Sequence, residues 1–464
     1  MTTICTSNST AGYIDLASFD ELEKYLYGGE KCTSYFVRDI KKSSWFTQIP
    51  VPLQSSGGCI DFGTTFSVSI TRSADYLLNT WLHLQMPELN VNGADYLLKP
   101  TQNFMHNLVQ DCCLTCNELV VERFDSRFLD FWAGFTVPRS KSNTYNNMIN
   151  YQGLTPVAGQ ATINAVVLNL PLPFFFSRDS GLALPTAALP YNEMLITITL
   201  RPLEELFTVI NTEPTPHVCV PFVRGSAAGQ VSSSTSFELR NTVVWGNYAI
   251  VSNDERKKMA CGSRDILIEQ VQTTGGACFK PKSVNDKKLF HLKFTHSIKV
   301  LFFALMNTTC PGDLSNYQTG SVIDQLASAA GSGVDPIAST SVIYENTYRL
   351  ANMTSDYYSL VQPWYHAPAG PADQVSPGFT SNNAGNNPGT GYHMYSYALD
   401  FFCIDPMGST NYGKLTNITI GILPSNGLIT TLNYDLPNVY EFYCVAVNYN
   451  MIRISGGALG FPVL

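Results

Sequence analysis

The sequence predicts an all-β protein made of two similar β-sandwich units. In "FSVSITRS" the apolar residues Phe66, Val68 and Ile70 alternate with Ser and Thr, which is the period-two pattern of a strand with one buried face. The segment "FHLKFT", from Phe290 to Thr295, repeats this pattern in the second half of the chain. Long segments rich in Gly, Asn, Pro and Ser separate the apolar runs, as loops do at the ends of a sandwich.

The N-terminal segment "SFDELEKYLYGG" predicts a short helix ahead of the first strands. Ser18 and Glu21 have the spacing of a capping box, and Gly28 would end the helix. One side of the helix carries a narrow apolar stripe formed by Phe19, Leu22 and Leu26. This stripe requires a partner, which could be the first domain, a neighbouring subunit or a membrane surface.

Four pairs of similar segments follow one another in the same order in the two halves of the chain. They are "DYLLNTWLHLQMP" (75–87) with "IKVLFFALMNTTCPG" (298–312), "LPFFF" (172–176) with "LDFFC" (399–403), "ITITL" (196–200) with "ITIGI" (418–422), and "VVWGNYAIVS" (243–252) with "VAVNYNMIRIS" (445–455). An ordered set of matches indicates duplication of one all-β unit.

A connecting helix is predicted between the two units, in "SNDERKKMACG". Ser252, Asn253 or Asp254 can cap it, and Gly262 would end it. The predicted organisation is an N-terminal segment 1–30, a first unit 31–252, a connecting helix 253–262 and a second unit 263–464. Three polar segments, 225–236, 311–340 and 367–392, are predicted as loops.

The composition indicates a protein that buries much of its outer surface in contacts with other subunits. Of the 464 residues, 45% are apolar and 14% are charged, whereas typical soluble domains have about 25% charged residues. The net charge of -8 argues against a direct nucleic-acid partner, because binding to phosphates requires a basic face.

No segment resembles a secretory or membrane-spanning signal. The longest strongly apolar run, "VLFFALM" at 300–306, is far shorter than the roughly 20 residues that cross a bilayer. The twelve cysteines lack the regular spacing of a disulfide scaffold. We therefore expect a protein made in soluble form, with mostly reduced thiols.

The stretch "RDSG" at 178–181 is similar to the nucleophile segment GDSGG of trypsin-like proteases. That mechanism needs glycine backbone amides near the oxyanion, but Arg178 and Leu182 stand where the pattern has glycine. No histidine has a recognisable catalytic context, so we expect a structural corner and no catalytic residues. Phe174 to Phe176 cannot all face the same way in a strand, so we predict that at least one of them packs outside the main inter-sheet core.

Metal and cofactor sites are not expected either. Cys113 and Cys116 form a lone C-x-x-C in a predicted strand, where this spacing puts them on opposite faces. Cys112 shares a face with Leu114 and Cys116 and is expected to be buried. The seven histidines are read as structural residues.

A carbohydrate-binding or glycoside-processing β-sandwich is the rival class. It would need a concave aromatic platform, for which Trp364 and Tyr365 are candidates. Hydrolysis would also need two carboxylates about 5 to 10 Å apart. The sequence shows no such pair.

Nine segments carry a family resemblance: "STAGYIDLASFDELEKYLYGG" (9–29), "NFMHNLV" (103–109), "LDFW" (129–132), "PLPFFFSRDSGLALPTAALPYNE" (171–193), "NDERKKM" (253–259), "VIYENTYRL" (342–350), "YYSLVQPWYH" (357–366), "GSTNYGKLTN" (408–417) and the terminal "NYNMIRISGGALGFPVL". Together they resemble the major capsid proteins of iridoviruses, within the nucleocytoplasmic large DNA viruses. The resemblance covers the chain from near residue 9 to the C-terminus.

The resemblance implies a double jelly roll, that is, two eight-stranded antiparallel sandwiches in tandem. It also implies a homotrimer of pseudo-hexagonal outline that tiles an icosahedral shell above an inner membrane, after synthesis and assembly in the host cytoplasm. The implied partners are neighbouring capsomers, minor capsid and penton proteins, and the inner viral membrane or its proteins. On this basis the helix from Phe19 to Tyr27 would face inward and the loops would rise outward.

The sequence departs from the family pattern in the three long loops and in its cysteines. Cys112, Cys113 and Cys116 stand where relatives carry small or β-branched residues. An oxidised bridge between subunits therefore stays open as an alternative to reduced thiols.

Overall fold

The structure is a computed structural model. It describes residues 8–38, 40–56, 58–150, 162–213, 218–234, 236–310, 312–320, 334–370, 391–431 and 440–462. The chain divides into two compact units between Trp45 and Phe46.

The N-terminal unit contains two helices, α1 (Asn8–Ala17) and α2 (Glu21–Leu26). The second was predicted, but the predicted cap is wrong. Asp20 caps α2 and forms a capping box with Glu23, whereas Ser18 belongs to the end of α1. Its backbone N–H and its hydroxyl both donate to the carbonyl of Ile14, at 2.9 and 2.8 Å, so it cannot also cap the next helix.

Strands dominate the rest of the chain. Those before the connecting helix are β1 Phe46–Pro52, β2 Gln54–Ser56, β3 Thr65–Ser69, β4 Tyr76–Met86, β5 Leu89–Val91, β6 Tyr96–Pro100, β7 Val109–Cys116, β8 Leu119–Asp125, β9 Thr162–Ile163, β10 Val166–Leu172, β11 Met194–Leu200, β12 Phe207–Asn211, β13 Val218–Val220, β14 Val231–Ser232 and β15 Arg240–Val251. Those after it are β16 Arg264–Thr273, β17 Ala277–Cys278, β18 Lys288–Leu292, β19 Ser297–Asn307, β20 Ile337–Tyr344, β21 Thr347–Thr354, β22 His393–Ser396, β23 Thr410–Asn411, β24 Ile418–Pro424, β25 Tyr440–Ser455 and β26 Ala458–Gly460.

The remaining helical elements are short. The α-helices are α3 Phe104–Leu108, α4 Ser126–Thr136, α5 Arg139–Ile149, α6 Asn253–Cys261, α7 Gln362–His366 and α8 Asn426–Thr431. The 3₁₀ turns are Phe175–Ser177, Ser180–Leu182, Thr186–Ala188 and Leu203–Glu205, and one π-helix covers Tyr357–Val361.

The two halves share one sheet topology, except that sheet 1B has an additional edge strand, β2. In the first half, sheet 1A has the strand order β1-β15-β4-β10 and sheet 1B the order β2-β3-β11-β7-β8. In the second half, sheet 2A has the order β16-β25-β19-β22 and sheet 2B the order β18-β24-β20-β21. All these pairings are antiparallel. Each half is a jelly roll, and the predicted double jelly roll is confirmed.

The correspondence follows chain order strand by strand. Strands β1, β15, β4 and β10 match β16, β25, β19 and β22, while β3, β11, β7 and β8 match β18, β24, β20 and β21. Three of the four repeated sequence pairs fall on matched strands, β4 with β19, β11 with β24 and β15 with β25. The fourth pair, at 172–176 and 399–403, lies at corners that follow β10 and β22.

The strand pattern within β4 shows why this sequence makes a sandwich. Leu82, Leu84 and Met86 are fully buried, while His83 and Gln85 between them, and Trp81 before them, are only partly buried. Since successive side chains of a strand point to opposite faces, one face of sheet 1A lies in the core and the other faces outward. Each fully buried Leu or Met contributes roughly 1.5–3 kcal/mol through burial.

The connecting helix forms where it was predicted, as α6 between β15 and β16. Ser252 is its N-cap residue and Gly262 its C-cap residue. Met259 is buried beside Tyr76 and Val251 in a small apolar cluster, which fixes the helix to the first jelly roll.

The prediction that at least one of the three consecutive phenylalanines lies outside the main core is wrong. Phe174, Phe175 and Phe176 are all buried in one core cluster. The chain leaves β10 at Leu172 and turns into a 3₁₀ helix at Phe175, so the strand alternation no longer applies. The predicted structural corner is correct, but its rings pack on each other: the Phe176 ring has its centroid 5.4 Å from those of Phe174 and Phe175.

The predicted loops are only partly within the described residues. Segment 225–236 contains the short strand β14. Residue 235 of the first loop, residues 311 and 321–333 of the second and residues 371–390 of the third lie outside the described residues.

Candidate functional site

The two jelly rolls meet along a seam in which sheet 2A is covered on both faces. In β19, Leu301, Phe303 and Leu305 belong to the core between sheets 2A and 2B. The alternating residues Phe302 and Ala304 instead join the cluster that holds the first jelly roll's core. β19 therefore reads as a continuous apolar run, because both of its faces are buried.

Helix α4 supplies the first jelly roll's side of the seam. The side chain of Asp125, at the end of β8, accepts a hydrogen bond from the backbone N–H of Phe128 at 3.0 Å and so starts the helix. One turn further, Phe131 and Phe135 stack on Phe302 of β19, with ring centroids 6.0 and 5.3 Å away. Arg127 lies over the Tyr443 ring of β25 at 4.1 Å.

A buried ion cluster crosses the seam next to α4. Arg178, from the RDSG segment, forms ion pairs with Glu269 of β16 and, at 3.8 Å, with Glu122 of β8. Lys299 of β19 forms a second ion pair with Glu269. The Arg178 guanidinium also lies 4.2 Å from the centre of the Trp132 ring.

Burial dominates the electrostatics of this cluster. It raises the pKa of Glu122 to about 7, although Arg178 and the Phe175 N–H at 2.8 Å both favour the carboxylate. Burial also lowers the pKa of Arg178 to about 10, against the attraction of Glu122. The two cationic and two anionic side chains are enclosed in protein, which suits them to holding the jelly rolls together.

The RDSG serine is not part of a catalytic arrangement in the described structure. Ser180 lies in an exposed 3₁₀ turn, where the Asp179 carboxylate accepts a hydrogen bond from the Gly181 N–H at 3.0 Å. No described histidine is hydrogen-bonded to Ser180. Arg178, which stands where the protease pattern has glycine, acts in the seam instead.

A second polar cluster on the seam was not recognised in the sequence. Asp130 of α4 accepts hydrogen bonds from Asn103, Ser315 and Tyr317 at 2.8, 2.6 and 3.0 Å. Its Oδ1 also lies 2.7 Å from His106 Nδ1. Ser315 and Tyr317 come from the second half of the chain, so this carboxylate ties the halves together. His106 and Asp130 occur in the family segments "NFMHNLV" and "LDFW", and these segments could have indicated both residues in the sequence.

The cysteine prediction is confirmed in its geometry. Cys112 and Cys116 are buried on the core face of β7 with Leu114, and Cys113 lies on the other face. Burial raises the pKa of all three thiols, which disfavours the thiolate that binds metal. The described residues contain no group of three or more potential ligands arranged to hold a metal ion.

Five of the described histidines bond through their side chains to neighbouring protein groups. The recorded pairs are His83 with Asn169, His106 with Asp130 and Tyr145, His291 with Thr419, His366 with the Leu399 carbonyl, and His393 with Asp335. His217 lies outside the described residues.

Outside the seam, the described jelly rolls carry a helix stripe that is exposed and a tryptophan platform that is partly buried. The first is a helix stripe on the π-helix and α7, formed by Leu360, Val361, Trp364 and Tyr365. Trp364 is 82% exposed and Tyr365 is 71% exposed. They project from a helix and do not line a described hollow.

The second surface is a tryptophan platform on the outer face of sheet 1A. Trp81 of β4 and Trp245 of β15 are paired in register, and their rings stack with centroids 6.2 Å apart. A hollow of about 600 Å³ adjoins Trp81, and Asn79, Asn169 and Pro171 contribute to its lining. No carboxylate lines the part of this hollow that the structure describes, which argues against glycoside hydrolysis there.

No helix within the described ranges has the length and apolar character needed to cross a bilayer.

Comparison with known proteins identifies the family. Residues 34–250 match the family described as "Major capsid protein N-terminus", and residues 255–377 and 379–460 match "Large eukaryotic DNA virus major capsid protein". The major capsid protein of Costelytra zealandica iridescent virus is 49% identical, over 99% of this chain and 99% of its own length. That of Tipula iridescent virus is 48% identical, over 97% of each chain.

A solved structure has the same fold. The chain described as "PBCV-1 virus capsid, quasi-atomic model" superposes with a TM-score of 0.70 at 20% identity, covering 93% of this chain and 100% of that one. The sequence relatives are capsid proteins and not enzymes, which confirms the expectation of a structural role. The chain belongs to the major capsid protein family of the large eukaryotic DNA viruses, and its role is that of a capsid subunit in the virion.

Proposed function

We propose that this capsid protein assembles as a homotrimer of pseudo-hexagonal outline, and that the trimers tile an icosahedral shell. The observation that carries this proposal is the repeated strand order of sheets 1A and 2A, and of 1B and 2B, within one chain. Three such chains around one axis present six similar sandwiches, and that number fits a six-fold position in a shell.

The native mass of the purified protein, measured by light scattering after size exclusion, tests this proposal. A stable species of three times 51.1 kDa is expected. A well-folded monomer at all concentrations would contradict it.

The proposed domain organisation has a connecting helix at 253–262 between jelly rolls at 31–252 and 263–464, with 1–30 as a separate segment. The two family matches support it, since one ends at 250 and the next begins at 255. The proposed partners are neighbouring trimers, minor capsid proteins and penton proteins, and the proposed site of assembly is the host cytoplasm.

The N-terminal segment is proposed to face the inner viral membrane or its proteins. Large apolar side chains are exposed on its helices and on the segment after them: Tyr13, Ile14, Leu16, Phe19, Leu22, Tyr25, Leu26, Tyr27, Tyr35, Phe36, Val37, Ile40 and Trp45. We expect trimers to float with phospholipid vesicles in a density gradient. A Leu22→Asp, Leu26→Asp variant should stay trimeric and remain at the bottom, whereas unchanged flotation would contradict the membrane role.

A further inference from the structure

The seam is formed by two surfaces, one from each jelly roll. Each of these surfaces has a structural counterpart in the other jelly roll. On one side, α4 directly follows β8, the edge strand of sheet 1B. On the other side lies the outer face of sheet 2A. Because the fold is repeated, the second jelly roll should carry a counterpart of α4, and the first jelly roll a counterpart of the sheet 2A face.

The counterpart of α4 is the π-helix that continues into α7. It follows β21, which is the edge strand of sheet 2B, as β8 is of sheet 1B. In α4 the rings that enter the seam, Phe131 and Phe135, are four residues apart. In the helix stripe, Leu360 and Trp364 have the same spacing, and so do the neighbours Val361 and Tyr365. Within the described chain these four side chains are exposed. The stripe is therefore an apolar helix face like the seam face of α4, but without a partner surface covering it among the described residues.

The counterpart of the sheet 2A face is the tryptophan platform on sheet 1A. Phe302 of β19, which receives α4, pairs with Val445 on one side and Met394 on the other. Trp81 of the matched strand β4 pairs with Trp245 and Pro171 in the same way. Phe302 is fully buried, whereas Trp81 and Trp245 are only partly buried within the chain.

We propose that the helix stripe of one copy docks on the tryptophan platform of a second copy, repeating between chains the contact that α4 makes within the chain. The proposal rests on the proposed function as a capsid trimer and identifies the surface that joins its subunits. Both surfaces are uncharged and aromatic, which suits a permanent contact between identical chains. The hollow of about 600 Å³ beside Trp81 provides room for a large side chain.

Such a contact is head-to-tail, because the stripe and the platform are different surfaces of the same chain. This property provides a sharp test with two variants. Trp364→Lys changes only the stripe, and Asn79→Arg changes only the platform, where Asn79 is exposed beside Trp81. Both substitutions add positive charge, so the two altered surfaces cannot attract each other. Tyr191→Lys, at an exposed tyrosine outside both surfaces, is the matched control.

We expect each of the two variants alone to be a folded monomer of 51.1 kDa in sedimentation equilibrium, while the Tyr191→Lys control remains trimeric. An equimolar mixture of the two variants should form dimers that cannot close into a ring, because one intact stripe meets one intact platform. Near-wild-type circular dichroism would verify that the monomers are folded. Trp81→Ala is a second platform variant for which the same result is expected.

The outcomes separate this inference from the proposed function. If the wild-type protein is trimeric and both variants stay trimeric, the proposed docking contact is wrong, whereas the proposed homotrimer is supported. Monomeric variants whose mixture forms no dimer would overturn the head-to-tail pairing, as would loss of trimers in the Tyr191→Lys control. A monomeric wild-type protein would overturn the trimer itself.

Discussion

Arg178 joins charged side chains from both jelly rolls in the seam between them. Its side chain is buried between Glu122 and Glu269 and lies against the Trp132 ring. Removing one partner of a buried ion pair leaves an unpaired charge in a low-dielectric region, which costs more free energy than the pair contributed. The stability of the seam therefore depends strongly on this arginine.

We predict that Arg178→Leu lowers the free energy of unfolding by about 3–5 kcal/mol. The matched control is Arg123→Leu, because Arg123 is exposed in its pair with Asp111 and should matter by about 1 kcal/mol or less. Chemical denaturation of both variants measures the difference. Equal effects at the two positions would contradict the role of Arg178.

Glu122 should make the stability of the protein depend on pH. Burial raises its pKa from 4.5 to about 7 in the folded state, so folding takes up a proton between these values. Its contribution is fully present below pH 4.5 and is lost as the pH rises through about 7. The rise in the pKa of Glu122 corresponds to a loss of on the order of 3 kcal/mol in the free energy of unfolding as the pH rises across that range.

Glu122→Gln removes this titration. The stability of the wild type relative to the variant should therefore fall as the pH rises from about 4.5 to about 7. Denaturant melts of both proteins across this range provide the measurement. A difference that is independent of pH would refute the prediction.

At the scale of elements, the corner after β10 stabilises the core through three packed rings. Phe175→Ala should cost about 3–5 kcal/mol and reduce the yield of soluble protein, because Phe175 is fully buried. Phe36→Ala is the control, since Phe36 is 99% exposed. Normal yield of assembled shells from Phe175→Ala would count against the corner as a core element.

A thiol pair connects β13 to the segment that follows β19. The sulfur atoms of Cys219 and Cys310 lie 2.8 Å apart, so a small shift of the side chains would bring them to the roughly 2.05 Å of a disulfide bond. We predict that diamide, by accepting two electrons and two protons, converts the two thiols into an intrachain disulfide. The oxidised chain should migrate faster on a non-reducing gel, and Cys219→Ser should abolish the shift. An unchanged gel, or a shift that persists in Cys219→Ser, would exclude this bond.

The sequence predicted the elements better than their ends and contacts. Strand alternation in β3 and β4 and the capping residues around α6 are local patterns, so they could be read directly. The cap of α2 was misplaced because α1 had not been recognised, and α1 uses Ser18 for its own last turn. The corner at Phe175 was mistaken for a strand, because a run of aromatic residues is compatible with either backbone.

At the scale of the whole molecule, the seam should make the two jelly rolls unfold together. The outer face of sheet 2A is apolar, and separating the halves would expose Phe302 with its stacking partners Phe131 and Phe135. We predict one cooperative transition for the protein in calorimetry. The second jelly roll expressed alone as 263–464 should bind the dye ANS strongly, and two well-separated transitions in the full chain would contradict the coupling.

The sequence by itself determined the all-β class, the duplication, the connecting helix and, through its family segments, the capsid family. These features depend either on residues that are close together in the chain or on the order of segments along it. Both can be recognised in the amino-acid sequence. Only the tertiary structure decided that Arg178 and Asp130 join the two halves, that the helix stripe is left exposed, and that the tryptophan platform is left only partly buried. The physical reason is distance along the chain: Asp130 and Ser315 are 185 residues apart, and no local pattern encodes their contact.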